Sequence, residues 1–481
     1  MNYLLPDYVK SIMAALKERG FEAYLVGGAV RDILLEKVPE DYDVATSARP
    51  EEVIETARNA GWGVVDELGR NFGVVMVVVG EKSVEVTSYR GESYGHDAHR
   101  PEKVWYCGEL KDDLARRDFT INSIAMSIDG TFIDYFNGIE DLKDKKLRTV
   151  GPAAQRFAED ALRMFRACRF LAQLGVKGEP EVFTAIAEQL PRVGGLSLER
   201  VRTELNKLML GNFVELGLEA LVRSGLAAQS CRQREKGKLL QVPILPELAA
   251  LTGVRQNLNY HAYDVWQHTL KTLSLSEGSL EIRWALLLHD IGKGRPQVRS
   301  CDEEGNPTDH GHERLSAEMA QNILQRLRFP PKFVKRVVWL IANHMQLGFH
   351  MDKEDFVSER WVRRTALSGS FRWNSEMCEA FLQLSAVCLA DLGATKAHEQ
   401  EIIAMRMYID KLLQAVRLMP VHTSDLAVSG RQVEEILHNK EVLPSLMRVL
   451  LKRVQDGSLK NTEEDLTAAV KKWRERNFIG F

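Results

Sequence analysis

Asp41 and Asp43 stand one residue apart in a segment rich in β-formers, Tyr42 to Ala45. Alternate residues of a strand project to one side, so this spacing brings two carboxylates together, and they repel unless a counter-ion joins them. Two Mg²⁺ ions would compensate, one polarising an attacking hydroxyl and the other holding a triphosphate, as in two-metal, in-line phosphoryl transfer. Glu85, in Val84-Glu85-Val86, would stand beside the pair as metal ligand or proton acceptor; an edge-strand glutamate facing solvent reads equally well. Upstream, Tyr24-Leu25-Val26 runs into Gly27-Gly28 and a helix-like Ala29-Val30-Arg31-Asp32-Ile33-Leu34-Leu35. There Gly28 lets backbone N–H groups approach an anion, and Arg31 adds positive charge. Taken alone, the two glycines read better as a tight turn.

These residues need a scaffold. Ala23 to Val26, Tyr42 to Ala45, Val74 to Val79 and Val84 to Ser88 read as strands alternating with helical patterns. From about Gly151 helical periodicity takes over, which predicts an all-helical remainder. The expected class is α+β: a head with a mixed sheet over 1–150, followed by a helical neck over 151–245, a further helical domain over 246–400 and a helical tail over 401–481. A chain of 481 residues exceeds one core's usual reach, and 45% hydrophobic content without a run of ~18 apolar residues or a charged-then-apolar leader predicts a soluble, cytoplasmic protein with no membrane partner. Six scattered cysteines without a Cys-x-x-Cys pair suggest neither disulfides nor a thiolate zinc site. The net charge of −3 argues against assuming nucleic acid, unless charge is segregated into stretches such as Arg232 to Lys238, Arg326 to Arg336 and Lys471 to Arg476.

The run from Gly27 to Leu35, followed by Asp41-Tyr42-Asp43-Val44-Ala45-Thr46, resembles the first signature of bacterial class II tRNA nucleotidyltransferases and their poly(A) polymerase relatives. Glu36 departs from it, since relatives often carry glycine there. Arg116 to Asn122 resembles the second signature, which in relatives surrounds ribose and phosphates. Arg117, Asp118 and Asn122 supply the donors and acceptors needed to select a 2′-hydroxyl. Glu159-Asp160-Ala161-Leu162-Arg163 resembles the nucleotide-reading motif, with Asp160 and Arg163 expected on one helical face. Asp160 would accept from the exocyclic amino group of cytosine or adenine while Arg163 donates to the adjacent ring nitrogen; uracil and guanine present a carbonyl instead. Without that context, the pair reads as an i,i+3 salt bridge. Arg166 and Arg169 extend the stripe, toward phosphate or over acidic surface. Glu199-Arg200 and Glu204 look like family elements with structural roles. Tyr94 to Pro101 resembles the loop that full CCA-adding relatives use when switching from C to A, although His99 replaces a common arginine.

His268, His289-Asp290 and Asp391, with His312 and His344 as further ligands, resemble an HD phosphohydrolase site for Mn²⁺, Ni²⁺ or Mg²⁺. The resemblance implies template-independent addition of CCA to tRNA from CTP and ATP, with HD-domain hydrolysis of phosphate at damaged RNA ends. The alternatives are a CC-adding or A-adding partner of a split system, a poly(A) polymerase, a phosphohydrolase with a vestigial head, or a non-catalytic RNA-binding protein. The tail, with Ser424 to Gly430 and Lys471-Lys472-Trp473-Arg474, reads either as a tRNA anchor or as ordinary terminal helix. The oligomeric state is left open.

Overall fold

The computed structural model describes residues 4–65, 73–94, 101–351 and 355–478. The stretch 95–100, which holds most of the Tyr94 to Pro101 loop, lies outside the described residues. Contacts divide the chain into two units, 1–250 and 251–481.

In the first unit, β1 (Ala23–Val26), β2 (Asp43–Thr46), β3 (Gly63–Val65), β4 (Val74–Val79), β5 (Lys82–Ser88), β8 (Ile124–Met126) and β9 (Phe132–Asp134) form one sheet, and β6 (Arg90–Tyr94) pairs with β7 (Pro101–Tyr106) separately. The sheet order is β3-β4-β5-β2-β1-β8-β9, antiparallel throughout except for the parallel pair β2–β5. Register decides where the chemistry sits: Asp43, at the start of β2, lies opposite Val26, at the end of β1, and beside Glu85 of β5. Both strand ends therefore open where Gly27 begins its turn. The short helix Gly28–Leu34 buries Ala29, Val30 and Ile33 and leaves Arg31 on its other side. Val26, Ala45, Tyr89, Leu110, Leu114 and Ala125 form an apolar cluster under this corner.

The helix Leu162–Leu174 runs through the following segment with Met164, Phe165, Cys168 and Leu171 buried, the spacing of one helical face. Phe119 meets its Phe170 edge-on, with ring centroids 5.5 Å apart.

The all-helical expectation after residue 150 is corrected by two hairpins and a short parallel strand pair. Ser230–Glu235 pairs with Lys238–Pro243 through a two-residue turn, Lys236-Gly237, in which both residues have positive φ. That is the geometry whose twist matches flanking strands, and glycine admits it. The basic stretch Arg232 to Lys238 is thus a hairpin, not a helix face. Arg299–Cys301 pairs with Pro307–Asp309, and Lys146–Leu147 with Lys177–Gly178.

The second unit is otherwise helical. Val265–Leu275, Leu280–Leu288, His312–Arg326, Pro331–Asn343 and Asn374–Gly393 carry the histidine-rich centre, around fully buried Trp284 and Phe381. Gly430–Leu437, Leu443–Gln455 and Glu463–Phe478 close over a smaller core including Val433, Leu450, Leu466 and Val470. Trp473, partly buried, packs against that core. Among the described residues no helix is long and apolar enough to cross a membrane.

Candidate active sites

A cleft of about 930 Å³ in the first unit is lined by Gly28, Arg31, Asp41, Asp43, Arg117, Asp118, Asn122, Asp160, Arg163, Arg166 and Arg169. These are all the residues that the sequence assigns to the head's chemistry, except Glu85, which is exposed on β5 beside Asp43. Asp41 lies just ahead of β2, so the carboxylates share a corner without both belonging to the strand. Burial raises the Asp43 carboxyl to about 6, helped by Glu85 and Asp41 and opposed by Arg117. Burial and the neighbouring carboxylates both disfavour negative charge at Asp43, a cost that a bound cation would relieve. Gly27 adopts φ +75°, and a Cβ there would stand 3.0 Å from the Arg117 guanidinium and 3.8 Å from Asp43. The turn is thus needed both for its conformation and for its closeness to the acidic corner.

The arginines are held by acids. Asp113, fully buried, accepts from Arg116 at 2.6 Å and Arg117 at 3.3 Å. Sequence reasoning missed it, although its i,i+3 and i,i+4 spacing to the two arginines was the available signal. Asp118 accepts from Arg166 at 2.5 Å and from Asn122 at 3.2 Å, and Asn122 in turn accepts from Arg31 at 2.8 Å. Burial would raise Asp118, but Arg166 and Arg163 outweigh it and bring the group down to about 2. Arg169 pairs with buried Glu204 at 3.1 Å, and its guanidinium lies 4.4 Å from the Phe170 ring centroid.

The expected helical face for Asp160 and Arg163 is corrected. The helix Ala153–Glu159 ends before Asp160, whose backbone is extended, and a new helix starts at Leu162. No Asp160–Arg163 salt bridge forms: Arg163 donates to Glu159 at 2.7 Å and to the carbonyls of Arg156 and Arg116, while Asp160 accepts from Arg200 at 3.1 Å.

In the second unit, His268, His289, Asp290, His312, His344 and Asp391 converge, each from a helix or a helix end. His268, His289 and Asp290 form one group within ligand reach, and Asp290, His312 and His344 another. The Nδ1–H groups of His289, His312 and His344 donate to the carbonyls of Leu286, Asp309 and Ile341, so that in the neutral ring Nε2 is the nitrogen with a lone pair for a metal. Nε2 of His312 faces Nε2 of His344 at 3.3 Å, an arrangement of two acceptors that suits a shared cation. Burial alone would depress His289, but Asp290 and Asp391 outweigh it and raise the ring to about 10; a cation would displace that proton. Lys293 reaches Asp290 at 2.7 Å, and a cavity of about 400 Å³ opens beside Asp290, Lys293, His312, His344 and Asp391. The donor set fits a divalent ion.

Residues 23–148 match the poly(A) polymerase head domain, 175–233 the region described as "Probable RNA and SrmB- binding site of polymerase A", and 260–369 the HD domain. A CCA-adding enzyme of Geobacillus stearothermophilus is 38% identical over 308 residues, 64% of this chain and 69% of that one. The chain belongs to the CCA-adding enzyme family. Another CCA-adding enzyme, from Enterococcus faecalis, aligns over 98% of both chains at 29% identity. The crystal structure of a Bacillus stearothermophilus CCA-adding enzyme in complex with CTP superposes with a TM-score of 0.63 at 27% identity, over 97% of this chain and 98% of that one. A tRNA nucleotidyltransferase complexed with a primer tRNA and an incoming ATP analog shares the fold, with a TM-score of 0.50 at 22% identity, over 84% and 98% of the two chains. Asp113, which holds the arginine pair, is absent from the sequence reading; Glu159 and Arg200 are named in it without the partners they hold, Arg163 and Asp160.

Proposed function

We propose that this chain is a cytoplasmic tRNA nucleotidyltransferase that adds CCA to the 3′ end of tRNA from CTP and ATP, without a nucleic-acid template. One observation carries this reading: the acidic corner of Asp41 and Asp43, the glycine turn, the arginine cluster and the Asp160–Arg163 pair line a single cleft.

Asp41 and Asp43, with Glu85 beside them, would hold Mg²⁺, which when bound activates the tRNA 3′-hydroxyl and neutralises the triphosphate. The turn at Gly28 leaves room for phosphate oxygens near the strand ends, and Arg31, Arg117 and Arg166 supply the opposing charge. Asn122, oriented by Arg31 and Asp118, presents polar atoms for the ribose. Asp160 accepts the amino group of cytosine or adenine and Arg163 donates to the neighbouring ring nitrogen, so the protein serves as its own template. Segments 1–150, 151–245, 246–400 and 401–481 act as catalytic head, neck, HD domain and tail.

A second activity is favoured by the histidine cluster. With Mn²⁺, Ni²⁺ or Mg²⁺ held by His268, His289, Asp290, His312, His344 and Asp391, the second unit hydrolyses 2′,3′-cyclic or monoesterified phosphates. This task would restore the free 3′-hydroxyl that the first site requires.

The test is to supply purified protein and Mg²⁺ with tRNAs ending at the discriminator base, at C or at CC, together with CTP, ATP or both. Growth of all three to CCA is expected. Arrest at CC, or extension of the CC substrate alone by one A, would indicate a split-system partner, and no extension of any tRNA would overturn the reading.

A further inference from the structure

The cavity beside the histidine cluster has a mouth as well as a metal-binding floor. Asp290, Lys293, His312, His344 and Asp391 line its floor, and Tyr260 lines it with 67% of its surface exposed to solvent. The backbone that carries Tyr260 is fixed. The Asn257 carbonyl accepts the N–H groups of Tyr260 at 3.1 Å and His261 at 3.0 Å, and its side-chain oxygen accepts that of Asn259 at 2.9 Å. Lys396 holds the same turn twice: its backbone N–H donates to the carbonyl of Tyr260 at 2.8 Å and its ammonium to that of Leu258 at 2.6 Å. An exposed aromatic by itself is ordinary. One held on a rigid turn beside a cation and a metal-binding cluster is a stacking face next to a phosphate site.

The wall of the cavity is of two kinds. Pro307, Met345, Leu392 and Met405 are apolar. The polar side chains are engaged within the protein: Gln256 with Lys293 and the Tyr263 carbonyl, Asn257 with Asn259 and Asp302, Asp309 with Arg299 and the Gly294 N–H, and Thr308 with Ser300. Such a wall gives a flat ring surface to lie on but few hydrogen bonds to its edge, so it cannot strongly prefer one base. At about 400 Å³ the cavity falls in the range of small-ligand pockets, ~300–1,000 Å³. We propose that it is a nucleotide subsite of the histidine cluster, in which Tyr260 stacks on the base of a nucleotide whose phosphate lies at the metal ligands, whichever base that is. This rests on the hydrolytic reading of the cluster and adds the substrate class: nucleotides of any base, over simple phosphate esters. An RNA broken at an arbitrary position ends in an arbitrary base, and stacking is the recognition that accepts them all.

The experiment measures kcat/KM of the full-length, Mn²⁺-loaded protein for the 2′,3′-cyclic phosphates of adenosine, guanosine, cytidine and uridine, and for the base-free 1-O-methylribose 2′,3′-cyclic phosphate. Each nucleotide should exceed the base-free ester on the order of tenfold, chiefly through KM, and the four should lie within about fivefold of one another. Tyr260→Ala and Tyr260→Leu should bring the nucleotide-to-ester ratio close to one, whereas Tyr260→Phe, which keeps the ring, should preserve it. Binding is read separately, without turnover, from the fluorescence of 2-aminopurine riboside 3′-monophosphate added to EDTA-treated protein: stacking should quench it, and Tyr260→Ala should lose that quench. Because the side chain is exposed, these substitutions leave the core packing untouched. Equal kcat/KM for nucleotides and the base-free ester, a ratio unmoved in Tyr260→Ala, or a quench independent of Tyr260 would overturn the subsite and leave the hydrolytic reading standing. Hydrolysis of none of the five esters would overturn that reading, and this inference with it.

Discussion

Asp43 is raised to about 6 because burial disfavours its charge and Glu85 and Asp41 repel it, against the pull of Arg117. A cation binding there competes with the proton, so affinity should weaken as pH falls through about 6 and one proton should be released on binding below that point. Titrating Mn²⁺ by electron paramagnetic resonance from pH 5 to 8 checks this. Glu85→Gln should move the midpoint of the pH dependence downward, whatever it does to affinity at neutral pH; an unmoved midpoint would place Glu85 outside the acidic corner. The arginines follow the opposite logic. Each has a carboxylate partner before substrate arrives: Asp113 for Arg117, Asp118 for Arg166 and Glu204 for Arg169. A guanidinium cluster without those acids would repel itself, and pairing lets positive charge collect at one wall.

At the scale of elements, the helix Gly28–Leu34 ends in a turn where Glu36 adopts φ 59°, the left-handed region. Glycine would meet that requirement without strain, whereas a side chain there costs ~1–2 kcal/mol. Glu36→Gly should raise stability by up to ~1 kcal/mol, the gain being trimmed by glycine's greater unfolded-state freedom. Glu36→Val should lower it by about 1–2 kcal/mol, since β-branching tolerates positive φ least. Urea denaturation of the two variants beside the parent chain measures both. Glu36 is exposed and does not line the cleft, so kcat for CTP should stay put. The hairpin Ser230–Glu235 with Lys238–Pro243 teaches the same lesson about turns: Lys236-Gly237 is a two-residue connection readable in sequence, outweighed there by the helical periodicity on either side.

For the whole molecule, the two histidine or carboxylate centres belong to separate units, 1–250 and 251–481. Their activities should separate by mutation. Asp43→Ala should abolish nucleotide addition, a loss of at least ~10³-fold, while leaving hydrolysis of a 2′,3′-cyclic nucleotide intact; His289→Ala should do the reverse. Metal analysis of each variant shows whether its own centre has lost its ion. Loss of both activities in either variant would contradict two independent sites.

The sequence alone carried the nearness of Asp41 and Asp43, the glycine turn, the strands of the head and the order of histidines, because these depend on local spacing, although Asp41 stands ahead of the strand and not in alternation along it. It could not place partners far apart in the chain. That Asp160 lies between helices and is held by Arg200, that Asp118 meets Arg166, and which of the two positions read for Glu85 it takes, beside Asp43, follow from sheet register and helix packing. Buried charges must find opposite charges wherever the fold brings them, and which ones meet is decided by tertiary structure, because contact there does not depend on separation in sequence.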